Sequence, residues 1–125
     1  MKILHVSDAF NAGVQHGIEN LVIQFPQYEH LLLWASHSDT PAPEKEYLSR
    51  YFHSTWAWRG GLIQKYFQLN TLITSQHVDL IHLHSSVAGA VGRLIPSAVP
   101  KLYSPHCFAF QRKDISIFTR YLFLL

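Results

Sequence analysis

The side chains of this sequence best equipped for chemistry are imidazoles: nine histidines stand against a single cysteine. In the run Asp79-Leu80-Ile81-His82-Leu83-His84, the two histidines sit at i and i+2, positions that share one face of a strand. With His106 and Asp8 they make a conceivable set of three or four metal ligands, the pattern of a metal-dependent hydrolase. Against that, His82 is flanked by Ile81 and Leu83 in mid-strand, where a core histidine bonded to a neighbour is the commoner arrangement. No metal site is assigned on this basis. His84 ends its strand and is better placed than His82 for a polar contact with substrate. His106 follows Lys101-Leu102-Tyr103-Ser104 and Pro105, so rigid structure delivers it to a crevice, and it leads the candidates for a catalytic role. Cys107 lies beside it, but sequence neighbours rarely aim at each other and no third group orients the pair. Cys107 is read as packing.

Two further groups bear on anions. Gly13, in Ala12-Gly13-Val14, leads into a helix N-terminus, where backbone N–H groups and the helix dipole favour a phosphate. An isolated turn glycine is the plain alternative, and neither G-x-G-x-x-G nor G-x-x-x-x-G-K-[ST] occurs, so a dinucleotide fingerprint and a P-loop are both unsupported. Arg112, Lys113 and Asp114 suit contact with an anionic acceptor or a diphosphate, or equally a solvated loop before a capped helix.

These residues need elements to hold them. Lys2 to Ser7 is an apolar, largely branched run that predicts a strand covered on both faces. Ile18, Leu21, Val22 and Phe25 then recur at helical spacing until Pro26. His30 to Ala35 predicts a second strand, and Ser36 to Glu46, with two prolines, a surface loop. Tyr51-Phe52-His53 is the candidate third strand, with Trp56, Trp58 and Gly60-Gly61 as a turn packed down by aromatics. Leu62, Tyr66, Leu69 and Ile73 predict a helix ending near Gln76, and Asp79 to His84 the fourth strand. Ser85 or Ser86 caps the next helix, whose expected stripe is Val87, Ala90, Val91 and Leu94, with Ala88, Gly89, Ala90 and Gly92 small enough for a close approach to the sheet. Lys101 to Ser104 is the fifth strand. Strands alternating with helices predict an α/β fold, a doubly wound parallel sheet. Ligands bind such sheets beyond the strands' carboxyl ends, which here carry Asp8 to Gly13, His84-Ser85-Ser86 and Pro105-His106-Cys107.

The 125 residues suit one domain, and 48% hydrophobic content supplies a core. A net charge of +2 without like-charge runs gives no nucleic-acid footprint. One cysteine excludes a disulfide framework and a multi-thiolate zinc site and fits a reducing cytosol. The N-terminal apolar run ends too soon for a signal peptide, and no stretch approaches the roughly 20 apolar residues of a membrane span. Ile115 to Leu125 is strongly apolar and helix-like but lacks a polar face and a capping glycine, so the chain is expected to be cut within its last helix. Tyr121 to Leu125 is then expected to pack on a further domain or to drive self-association.

In their order, Lys2 to Asp8, Ala12-Gly13-Val14 with Ile18-Glu19-Asn20-Leu21, Asp79 to Ser86 with Ala88-Gly89, and Tyr103-Ser104-Pro105-His106 resemble the N-terminal half of a bacterial family 4 glycosyltransferase of the GT-B fold. Phe108-Ala109-Phe110 followed by Arg112 to Ser116 is similar to the branch that builds surface polysaccharides. The resemblance covers nearly the whole chain. It implies retaining transfer of a sugar from a nucleotide-sugar donor, a substrate rather than a cofactor, to a glycan or lipid-linked acceptor. It implies that Gly13 and Val14 approach the donor, that His106 faces the transferred sugar, and that Asp8, His84 and Ser85 line the acceptor side. By analogy the enzyme is cytoplasmic and peripheral at the inner membrane. The family's usual paired glycine is Ala12-Gly13 here, and its C-terminal domain, with the two glutamates that hold the donor, is absent from residues 1 to 125. This chain alone is therefore expected to transfer little or nothing.

Overall fold

Alternation along apolar runs decides which side of the sheet each residue serves. A computed structural model of the chain describes residues 1–10, 12–35 and 43–104. In chain order these form β1 (Lys2–Ser7), α1 (Ala12–Gln24), β2 (Glu29–Trp34), α2 (Lys45–Leu48), β3 (Ser54–Ala57), α3 (Leu62–Ser75), β4 (Leu80–Leu83), α4 (Ser86–Leu94) and β5 (Lys101–Tyr103). The five strands pair in parallel throughout, in the order β3-β2-β1-β4-β5. Leu4 and Val6 of β1, Leu31 and Leu33 of β2, and Ile81 and Leu83 of β4 meet Leu69, Leu72 and Ile73 of α3 and Val91 of α4. On the opposite face Leu32 joins Phe10, Ile18 and Val22 from α1 and its approach, with Leu48 and Phe52. Helices cover both faces, so the doubly wound α/β sheet is the fold.

Local chemistry explains the boundaries. Gly60 turns the chain at φ 85°, a left-handed conformation that suits glycine, and the Gly61 N–H donates to Gln64 Oε1 at 2.8 Å to start α3. α3 ends at Gln76, followed by His77 at φ 52°, the left-handed position where helices commonly place glycine.

Several expectations are corrected. The third strand is Ser54–Ala57, not Tyr51 to His53. Trp56 therefore lies in the sheet opposite Leu33 rather than in a turn, while Phe52 turns into the α1-side core. The loop expected through Glu46 gives way to α2 at Lys45. Phe25 lies beyond α1 and is exposed, as is Leu62 at the start of α3. The sheet-facing side of α4 is rotated from the expected stripe: Ala88, Gly89, Val91 and Gly92 are buried, whereas Leu94 is 72% exposed. A Cβ on Gly92 would stand 2.6 Å from both Leu83 methyls, and one on Gly89 2.7 Å from the Tyr103 ring. Small residues set this helix's distance from the sheet, so Ala88, Gly89 and Gly92 share the inner face with Val91.

Candidate functional site

The strand order puts β1 between β2 and β4, and the chain changes direction across the sheet when it passes from β3 to β4. α1 leaves β1 toward one face and α4 leaves β4 toward the other. The crevice that forms where such connections diverge is the usual ligand position in open α/β sheets. Asp8 follows β1 and His84 and Ser85 follow β4, so these three candidates meet at that switch point.

Their contacts are specific. The Asp8 N–H donates to Ser85 Oγ at 2.9 Å, and the Ser85 hydroxyl donates to Asp8 Oδ1. The same carboxylate oxygen accepts the Ala88 N–H at 3.1 Å. Ser85 is the N-cap residue of α4 as expected, but its hydroxyl does not cap the helix. Asp8 does that from just beyond the end of β1, placing a negative charge where the helix dipole is positive. The α4 N-terminus thus carries its own anion.

Beneath this edge, on the α1 face, lies a row of imidazoles. His5 of β1 pairs in register with His82 of β4, and His30, the second residue of β2, pairs with Ile3. His5 Nδ1 lies 3.0 Å from His84 Nε2, and His5 Nε2 lies 2.9 Å from His30 Nδ1. His30 Nε2 meets the Phe25 carbonyl oxygen at 2.8 Å, and His82 Nε2 meets Ser104 Oγ at 2.7 Å. His5, His30, His82 and His84 are all buried. Burial holds His5 well below the usual imidazole range, and a positive charge there would also be opposed by His82 and then His30. Among the described residues, His5, His82 and His84 present ring nitrogens within 4.8 Å of one another, close enough to share a metal ion. Asp8 is engaged instead with Ser85 and Ala88, so of the set conceived from the sequence His82 and His84 stand in this group, while His106 lies outside the described residues.

His82 is the neighbour-bonded core histidine expected, and His84 is fully buried. Sequence reasoning missed His5 and His30. Their signal was an imidazole inside each of the first two apolar strand runs, on the alternation shared with the buried side chains. It also missed Glu19 of α1, a buried carboxylate that accepts the Tyr47 hydroxyl at 2.7 and 3.0 Å and the Gln15 amide at 3.0 Å. The bond to Glu19 pushes the Tyr47 hydroxyl up to about 12. This pair ties α1 to α2.

Gly13 lies in the first turn of α1, which carries no acidic residue, and Val14 packs against the Phe10, Ile18 and Val22 cluster. A hollow of about 300 Å³ beside β3, lined by Lys45, Phe52, His53 and Trp56 among others, shares no residue with the switch point. His106, Cys107, Arg112, Lys113, Asp114 and the run Ile115 to Leu125 lie outside the described residues. Among the described residues no helix is long and apolar enough to cross a membrane. No protein-family model matches the chain, and no curated protein matches it.

Proposed function

We propose that this chain is the acceptor-side half of a retaining glycosyltransferase that moves a sugar from a nucleotide-sugar donor to a glycan or lipid-linked acceptor in polysaccharide assembly. The observation that carries the reading is the pairing of Asp8 with Ser85 at the β1/β4 switch point of an all-parallel sheet, with His84 next to Ser85 in the chain. Those residues belong to the motifs through which the sequence resembles family 4 glycosyltransferases. In this reading Asp8 and Ser85 shape the acceptor wall, Gly13 and Val14 stand near the donor, and His106 faces the transferred sugar. A second domain supplies the donor contacts, and without it both positioning and electrostatic stabilisation of the transition state are lost. The location follows from the same reading: cytoplasmic, at the inner face of a membrane.

The rival reading is a binding module for a small phosphorylated ligand. The Asp8 carboxylate at the α4 N-terminus disfavours it there, because a phosphate would meet a like charge. Such a ligand would have to use the start of α1 at Gly13.

The test is label transfer by the complete native polypeptide, with a panel of labelled nucleotide sugars and a membrane glycan extract. Incorporation is expected, and His106→Ala should lower turnover strongly while leaving nucleotide affinity nearly unchanged. No incorporation from any donor, or wild-type turnover in His106→Ala, overturns the reading. Binding of inorganic phosphate with shifts centred on Gly13 would favour the module instead.

A further inference from the structure

Four large apolar side chains stand out from one side of this molecule. Leu62, Ile63 and Phe67 of α3 and Leu94 of α4 are each between 60% and 74% exposed, although soluble monomers seldom gather such residues on one surface. They border a trough of about 420 Å³ between the two helices, completed by Tyr66, Ala90 and Val91 and apolar throughout. The charges on this side share one sign. Arg59 precedes α3 and Arg93 lies on α4, both exposed, and the Lys65 Nζ sits 5.5 Å from the centre of the Trp58 ring on the flank of α3. Between Glu46 and Asp114 the sequence holds a single carboxylate, Asp79, which lies beyond the far end of α3 and accepts the Lys2 N–H at 2.8 Å. Asp8, at the start of α4, is taken up by Ser85 and Ala88. Glu19, Glu44 and Glu46 belong to α1 and to α2 and its approach, on the opposite face of the sheet. The formal charge of +2 therefore conceals a division between a basic, apolar face and one that carries carboxylates.

We propose that the α3/α4 face docks on an anionic lipid surface, with Leu62, Ile63, Phe67 and Leu94 entering the acyl layer and Arg59, Lys65 and Arg93 meeting the head groups. A second copy of the chain would bring these cations against one another with no carboxylate between them. The run Ile115 to Leu125 fits no better, since Arg112, Lys113 and Arg120 accompany it. An acidic protein would satisfy the charges, but a trough that is apolar throughout gives such a partner no hydrogen bonds to fix its register. Fluid acyl chains need no register. The lipid contact stands on this surface alone; that it brings a lipid-linked acceptor to the crevice rests on the glycosyl-transfer reading.

The experiment is co-sedimentation of the whole chain with vesicles of phosphatidylglycerol and phosphatidylcholine, and with vesicles of phosphatidylcholine alone, at low and high salt. Partition onto the anionic vesicles is expected, weakened by salt and by omission of phosphatidylglycerol. At low salt Arg59→Gln/Arg93→Gln should weaken it roughly 30-fold, and Ile63→Ser/Phe67→Ser roughly 100-fold or more. All four side chains are exposed, so the fold should survive either pair of substitutions. Absence of partition overturns the proposal, as does equal partition by the wild type and both variants, which would assign vesicle binding to another segment. A concentration-dependent dimer in place of partition, abolished by Ile63→Ser/Phe67→Ser, makes the face a self-interface and also overturns it. So does binding of a soluble amphipathic Glu/Leu peptide in preference to the vesicles, which assigns a protein partner. Should one variant fail to fold, the other decides. No sugar nucleotide is present, so failure of label transfer leaves the partition unmoved, and failure to partition leaves label transfer standing.

Discussion

Lowering the pH from about 7.5 to about 5.5 is expected to remove up to about 1.4 kcal/mol of folding stability through His5 alone. In the unfolded chain this imidazole titrates near its ordinary value of 6.5, whereas in the fold its pKa is lowered well below that by burial and by His82 and His30. A lowered native pKa means that the stabilisation is fully present above 6.5 and declines as acid protonates the unfolded chain first. The decline continues until the native pKa is passed. One proton taken up only by the unfolded state gives a slope of about 1.4 kcal/mol per pH unit, most of it falling below 6.5. Among the described residues the titratable groups that face His5 are His30, His82 and His84, and no carboxylate is bonded to it to offset a charge. Against a total stability of roughly 5 to 15 kcal/mol this is a readable effect. Urea unfolding of the whole chain at half-unit pH steps measures it, and His5→Gln, which keeps an amide donor and acceptor but cannot titrate, should flatten the slope by one proton's worth. Equal pH dependence in wild type and His5→Gln would refute the reasoning.

Four other outcomes are expected. Asp8→Ala removes the charged cap of α4 and the partner of Ser85, and should destabilise by about 2 to 3 kcal/mol in denaturant melts, whereas Asp8→Asn should cost less. Gly92→Ala should destabilise by about 1 to 2 kcal/mol despite better helix propensity, and a Leu83→Ala background should reduce that cost, as a double-mutant cycle would show. The Tyr47 hydroxyl should titrate spectrophotometrically near 12, so its stabilisation is complete below about pH 10 and lost as pH rises through 12; Tyr47→Phe should cost about 1 to 3 kcal/mol at neutral pH by stripping a partner from buried Glu19. His77→Gly should raise the melting temperature slightly, relieving a left-handed β-carbon worth about 1 kcal/mol.

Much of the sheet could be read directly because β1, β2, β4 and β5 are apolar runs with clear stops, and each lies within two residues of its expected span at either end. β3 was displaced because Tyr51-Phe52 looks like strand chemistry, yet Phe52 leaves the ladder for the core. The ladder instead starts when the His53 N–H reaches the His30 carbonyl at 2.8 Å. On α4 the close approach of Ala88, Gly89 and Gly92 was legible from their size and Val91 from periodicity, but Leu94, on the same periodic stripe, is exposed, because packing against Leu83 and Tyr103 turns the small side chains inward. At the site, Asp8 and Ser85 were legible as strand-end residues, but their bond to each other was not. The histidine row was hidden for a different reason. His5, His30 and His84 are separated along the chain by 25 and 79 positions from the first, and only parallel register brings them side by side.

The central place of β1 also governs how the chain must be made. Its first six-residue strand needs β4 on its free side, so that the Lys2 carbonyl meets the Asp79 N–H at 2.9 Å and the Val6 carbonyl meets the His84 N–H at 2.9 Å. A ribosome that has released β1, α1, β2 and β3 has produced a sheet whose innermost strand is still an open edge, with a row of unsatisfied backbone groups and the face that α3 and α4 cover left bare. Closing it requires a loop spanning most of the chain, which slows folding relative to a protein of local contacts. Arrest at about the end of α3 would therefore leave a nascent chain that pairs with whatever strand it meets, and chaperone dependence in this protein should switch off once the residues of β4 have emerged.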